Sequence, residues 1–163
     1  MTSLDKKVLA LLQEDCRYDH ARMATMLGVQ EADVSACIKS MEDSGVIVKY
    51  TAIVNEDKMD ASPINALIEV RVTPQNRCGF DAIAQEIMAF SEVKAVYLMS
   101  GVYDLSIAVE TESMRDLSLF VSEKLSTIDS IVGVATHFIM KKYKDGGIIL
   151  DQGDTSTRLP IHV

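Results

Sequence analysis

The chain has 163 residues, 48% apolar and 25% charged, enough apolar material for one domain with a real core or for two small ones. Its formal net charge of −8 excludes a generally basic polyanion binder, though not a local nucleic-acid surface. It has no apolar run of the roughly 18 residues that spans a bilayer.

The opening stretch, MTSLDKKVLALLQED, carries acids and lacks a small-residue cleavage site, so it does not read as a secretory signal. Cys16, Cys37 and Cys78 are scattered and odd in number, which fits reduced thiols in a cytoplasmic protein better than bridges. His20, His137 and His162 are equally scattered, and no metal-ligand spacing appears. No metal or cofactor is expected. Residues 1–60 carry 7 Lys/Arg against 11 Asp/Glu, and residues 61–163 carry 9 against 13. Neither half is basic.

Leu4 to Glu14 has a helical stripe of Leu4, Val8, Leu11 and Leu12, with Asp5 in the first turn where a negative charge suits the helix dipole. Asp19 starts a second short helix with Ala21, Met23, Ala24 and Leu27 inward, and Gly28 ends it. A third helix spans about Glu31 to Ser44, with Val34, Ile38 and Met41 on one face, and Gly45 stops it. Two short helices around a Gly-containing turn form a helix-turn-helix pattern. A plain three-helix bundle fits the same periodicity.

After Gly45 the period changes. Val46–Asn55 is β-rich and reads as a strand leaving the helical part, and NEDKMDASP is a polar linker ending at Pro63. Ile64, Ala66, Ile68, Val70 and Val72 share one side of a strand. A helix follows over Phe80–Phe90.

Next come two extended runs that meet at Ser100–Gly101. Upstream, Val93, Ala95, Tyr97 and Met99 fall on one face; downstream, Tyr103, Leu105, Ile107 and Val109 alternate with Asp104, Ser106, Ala108 and Glu110. The Ser-Gly pair reads as a tight hairpin, glycine supplying a positive φ. Asp104 is the exception in this apolar stretch. It either holds the turn or belongs to a small-molecule site. A helix over Ser113–Ser126 and a strand over Ile131–Met140 complete a β-α-β-β-α-β order, the ferredoxin-like split arrangement.

Two helices then cover one face of a four-stranded antiparallel sheet. The other face carries Leu67 and, if Val93, Ala95, Tyr97 and Met99 face the helices, Val96 and Leu98. An apolar patch of that kind meets another protein surface, which predicts a twofold dimer through the sheets. The last segment, 145–163, has a Gly-Gly turn and a polar loop. Its terminal apolar residues favour a docked strand over a frayed tail.

From about Leu4 to Lys144 the chain resembles the Lrp/AsnC, or feast/famine, family of transcriptional regulators. The resemblance rests on Leu4–Asp5, on MEDSGVIVKYTAIVN, on SGVYDLSIAVE and on GVATHFIMKKYK, in that order and spacing. It implies an α+β fold: an N-terminal helix-turn-helix, winged-helix-like domain (1–50), a strand and linker (51–63), and a ferredoxin-like αβ-sandwich (βαββαβ) effector domain (64–144). It implies no enzyme activity, binding to DNA and to an amino acid or related effector, and homodimers that assemble to octamers.

The family's effector site lies between subunits. The resemblance places it at the Gly-x-x-Asp turn, here Gly101 to Asp104, and at a facing strand that includes Thr136. The chemistry is coherent: Asp104 accepts an ammonium group, Ser100, the Gly101 amide and Thr136 donate to a carboxylate, and Tyr103 closes one side. Asp104 as a simple brace of the hairpin stays open.

The third helix departs from the family, whose members commonly carry several arginines there. EADVSACIKSMEDS holds one Lys and four acids. Fewer phosphate contacts mean less counterion release, so DNA binding is expected to be weak or to depend on oligomer avidity. The candidate DNA-contacting residues are Gln30, Ser35, Lys39 and Ser40 with Arg22; Arg17 and Lys49 flank them. The acidic helix also admits a metabolite-binding module that has lost DNA recognition. An enzyme that holds a polycarboxylated tetrapyrrole needs basic residues around the hairpin, and Tyr97–Glu110 has no His, Arg or Lys.

Overall fold

The computed structural model describes residues 1–73 and 79–151. Contacts divide the chain into two compact units, with the boundary between Ala52 and Ile53.

The first unit is three helices: α1 (Ser3–Glu14), α2 (His20–Leu27) and α3 (Glu31–Asp43). The starts of α1 and α2 and the end of α2 follow local chemistry. The Thr2 hydroxyl accepts from Asp5 N (3.1 Å), and the Asp5 carboxylate accepts from Thr2 N (2.6 Å), so two otherwise unpaired amides are satisfied reciprocally. The Asp19 carboxylate caps α2 through Arg22 N (2.6 Å). Gly28 ends that helix at φ +67°, a backbone state that costs an L side chain about 1–2 kcal/mol. Val8, Met23, Ala24, Val34, Ile38 and Met41 form the core.

The expected strand over Val46–Asn55 is absent. These residues pair with no ladder within the chain, and Val48 is 89% exposed. Their β-branched composition favours a strand, but a strand needs a partner edge, and one copy of the chain provides none.

The second unit is a four-stranded antiparallel sheet of order β2-β3-β1-β4, where β1 is Ile64–Val72, β2 Val93–Leu98, β3 Leu105–Thr111 and β4 Ile131–Phe138. Helices α4 (Phe80–Met88) and α5 (Met114–Leu119) pack on one face. α5 runs on through a π turn, Phe120–Lys124, and a 3₁₀ turn, Leu125–Thr127, so the expected single helix to Ser126 changes pitch. The alternation of β1 holds: Ala66, Ile68, Val70 and Val72 are buried, with Ile107 and Val109 of β3 and Ile83, Ile87, Leu117 and Phe120 of the helices. Phe90 and Phe120 meet edge to face, centroids 5.7 Å apart.

Two expectations about the central hairpin are corrected. Gly101 does not take a positive φ, and the link between β2 and β3 is a six-residue loop, closed by Met99 N donating to Asp104 O (2.8 Å). The register of β2 also shifts between Val93 and Ala95. This bulge reverses the facing of the strand beyond it. Val96 therefore lies opposite Ile107 on the helix side, and Ala95 and Tyr97, opposite Ala108 and Ser106, lie on the outer face.

Beyond β4, Lys144–Asp145 and Ile148–Ile149 form a small hairpin, β5-β6. The Asn55 amide donates to Leu150 O (2.9 Å) and the Lys142 ammonium to Glu56 (2.7 Å), tying this segment to residues 55–65. The expected docked strand near the C-terminus lies outside the described residues. No helix among the described residues is long and apolar enough to cross a membrane.

Candidate DNA-reading and ligand-binding surfaces

In the helical unit the outward stripe of α3 is Ser35, Lys39 and Glu42, three and four residues apart, with Ser40 exposed beside it. Ser35 is not free: its hydroxyl shares a 2.7 Å hydrogen bond with His20 Nδ1. Glu42 accepts from the Tyr50 hydroxyl (3.0 Å). Burial, and after it this bond to Glu42, pushes the Tyr50 phenol above its usual range. Lys39 forms no ion pair among the described residues. Gln30 precedes α3, its amide donating to the Asp33 carboxylate (3.2 Å), so the first turn presents Glu31 and Asp33 as acids. Arg22 is exposed on α2, its guanidinium 4.6 Å from the centre of the Tyr18 ring. The arrangement brings Ser35, Lys39 and Ser40 onto one side of α3, with Gln30 at its start and Arg22 on the preceding helix.

His20 and Tyr50 escape the sequence reading. Each meets α3 through a bond that spans 15 or 8 residues, and no periodicity marks such a pair.

In the second unit the candidate site is the loop Met99–Asp104 and the strand ends beside it. Asp104 is half-buried and does hold structure. Its amide donates to Val70 O (3.0 Å), and its carboxylate accepts from Val72 N (2.9 Å). These bonds hold the loop before β3 to β1 beyond the last ladder pair, Val70 and Leu105, just where β1 shifts register against β4 between Arg71 and Val72. Ser100 and Gly101 are exposed on the loop, and Tyr103 is half-buried.

Thr136 sits elsewhere. It lies opposite Ile68, hence on the helix side of β4, and β1 separates it from β3. One copy of the chain brings Ser100, Gly101, Tyr103 and Asp104 together but leaves Thr136 apart.

The structure adds Arg71, which the sequence reading passed over. Its guanidinium lies 5.5 Å from the centre of the Tyr103 ring. The signal was present: Arg71 occupies an outward position in an otherwise clean alternation.

Among the described residues no group of His, Cys, Asp and Glu is arranged to hold a metal ion.

A model of the AsnC-type helix-turn-helix domain matches residues 1–42, and a model of the Lrp/AsnC ligand binding domain matches residues 65–149. The chain belongs to the Lrp/AsnC family.

Among its relatives, YugG of Bacillus subtilis strain 168, an uncharacterised HTH-type transcriptional regulator, is 42% identical over 162 residues. The match covers 99% of this chain and 98% of YugG. An uncharacterised HTH-type transcriptional regulator of Pyrococcus furiosus is 32% identical over 146 residues, covering 90% of this chain and 96% of that protein. Two solved structures share the fold. A transcriptional regulator from Neisseria meningitidis in complex with L-Met has a TM-score of 0.73 at 20% identity, over 89% of this chain and 93% of that one. AsnC of E. coli has a TM-score of 0.69 at 20% identity, over 87% and 93%. As a Lrp/AsnC protein, the chain is a transcriptional regulator with a helix-turn-helix domain and a Lrp/AsnC ligand-binding domain, and not an enzyme.

Proposed function

We propose that this regulator binds DNA sequence-specifically through α2 and α3, pairs through the outer face of its sheet, and senses an amino acid or a related small metabolite. The cytoplasm is its place of action. The observation that carries the sensing is the Asp104 loop: a half-buried carboxylate beside an aromatic ring, within the segment that matches a ligand-binding domain. Ser100, Gly101, Tyr103 and Asp104 form one wall of the site. Thr136 stands apart within a copy, so a site that uses it together with Asp104 draws them from different protomers. The Neisseria relative in fold, solved with L-Met, supports an amino acid as the ligand class.

The pairing is supported by the outer sheet face, where Tyr97 is 55% exposed and Ala95, Ala108 and Leu67 run across β2, β3 and β1. An apolar surface of this kind is stabilised by a second copy. Further assembly, to an octamer, supplies the avidity that an acidic reading helix needs.

On α3, Ser35, Lys39 and Ser40, with Gln30 and Arg22, make the contacts to DNA. Gln and Ser hydrogen-bond to base edges or phosphate oxygens, and Lys39 and Arg22 supply the cations. A second reading, a metabolite-binding oligomer without DNA recognition, is favoured by Glu31, Asp33, Glu42 and Asp43 on the same helix.

A gel-shift with the chain's own upstream region at low salt separates the two. A shift altered by one of the amino acids supports the regulator. No shift at micromolar protein, with thermal melts that still respond to an amino acid, supports the second reading.

A further inference from the structure

We propose that Arg71 is the carboxylate anchor of an α-amino-acid site in which Asp104 takes the ammonium group. This rests on the sensing reading above and adds to it the residue that selects the acid end of the ligand.

The ladder fixes the placement. Val70 lies opposite Leu105, the last pair of the β1–β3 ladder; beyond it Asp104 N donates to Val70 O (3.0 Å) and the Asp104 carboxylate accepts from Val72 N (2.9 Å), so the two bonds of Asp104 flank Arg71 along β1. Val70 and Leu105 are both buried in the core. Arg71, the neighbour of Val70 on β1, therefore faces outward. Arg71 on β1 and Asp104 in the loop before β3 thus bring a positive and a negative pole close together, and Tyr103, next to Asp104 in the chain, lies against the guanidinium.

The cation is held but not neutralised. Arg71 forms no ion pair among the described residues. Glu69, its neighbour two residues back on the same face, is engaged by His137 Nε2 across the sheet (3.1 Å). The guanidinium instead lies over Tyr103 at 5.5 Å, an arrangement that orients the planar fork while leaving its N–H edges to a ligand. Across the β4 ladder the partner of Arg71 is Gly133. A side chain at Gly133 would start 3.6 Å from the Arg71 Cβ, and glycine leaves that flank clear.

The chemistry names the ligand class. A guanidinium presents two parallel N–H groups to a carboxylate. The Asp104 carboxylate has one oxygen on Val72 N (2.9 Å) and a second oxygen to offer an ammonium. A free α-amino acid carries both groups on one carbon. An amino-acid amide lacks the first and a 2-oxo acid lacks the second, so both bind less well.

The test uses the full-length chain and titration calorimetry against the twenty L-amino acids, then against the carboxamide of the tightest binder. The wild type is expected to prefer the acid over the carboxamide by about tenfold or more, the scale of a charge-assisted pair. R71Q loses about that factor for the acid and binds the carboxamide as the wild type does. R71K, which keeps the charge but not the fork, falls between. If R71Q does not fold, R71K and the wild-type comparison of acid with carboxamide still decide. R71Q binding the acid within about twofold of wild type, or a wild type indifferent to the carboxylate, overturns the anchor while the sensing reading stands. A wild type that binds none of the twenty overturns both.

Discussion

The two units of this regulator bury apolar side chains on different scales. The helical unit encloses Val8, Met23, Ala24, Val34, Ile38 and Met41, whereas the α/β unit encloses thirteen side chains among the described residues between Ala66 and Ile128. A smaller core leaves less surplus over the entropy of ordering the chain, so helix ends matter more in the first unit. Charge separates them as well. On α3 the proposed reading surface is short of cations, while the outer sheet face keeps Arg71 free of an ion pair among the described residues. Under the proposed function, DNA reading by the helical unit depends on how many copies act together, whereas the proposed Arg71 anchor is set by residues within one copy.

Core truncation is the strongest way to probe this difference. Phe120→Ala removes a fully buried ring that meets Phe90 and is expected to cost about 3–5 kcal/mol, read as a large drop in the denaturation midpoint of the α/β unit. Met23→Ala, at the centre of the smaller core, costs about 2–5 kcal/mol. That is a larger share of what the helical unit has, so its amides lose hydrogen-exchange protection first. Thr2→Ala breaks the reciprocal cap of α1 and costs about 1 kcal/mol, measured by chemical denaturation.

Smaller effects follow from single charges and thiols. The Lys124 ammonium bonded to Glu92 holds that carboxyl below its ordinary value. A carboxylate lowered on folding adds stability above its unfolded pKa, and this is lost as the pH falls through the lower, folded value. Part of the pair is exposed, so the contribution stays under about 1 kcal/mol, and Lys124→Met removes this acid-side dependence from a melt series. In a Cys78→Ser background, Cys16 is exposed and is alkylated before Cys37. Burial, and then Asp5, pushes the Cys37 thiol up. A mass-resolved time course reads the order.

The helical unit was legible because its determinants are local. Asp19, Gly28 and Gly45 lie at the helix ends that their chemistry specifies, and the 3.6-residue stripe gave Val8, Val34, Ile38 and Met41; the Thr2 cap of α1 went unread. The β order was legible for the same reason, since the alternation of β1 survives intact. What the sequence hid was pairing. Nothing in VKAVYL marks the bulge after Val93 that moves Val96 inward and Tyr97 outward. Composition makes a strand of Val46–Asn55, but an edge to pair with is a property of other segments. Gly101 follows a serine at an apparent turn, yet the Asp104 hydrogen bonds set a wider loop that needs no positive φ. The grouping of Arg71, Tyr103 and Asp104 joins β1 to the loop before β3, so only the hydrogen bonds and contacts between them show it.

In the proposed function, weak reading heads grip DNA through assembly. Sedimentation of the full chain, alone and with a labelled duplex of its upstream region, tests this most directly. The account predicts that the protein sediments as an even multiple of its 17.9 kDa chain mass and that the duplex moves only with that assembly. A 17.9 kDa monomer, or a monomer that carries the duplex as tightly as any assembly does, would contradict it.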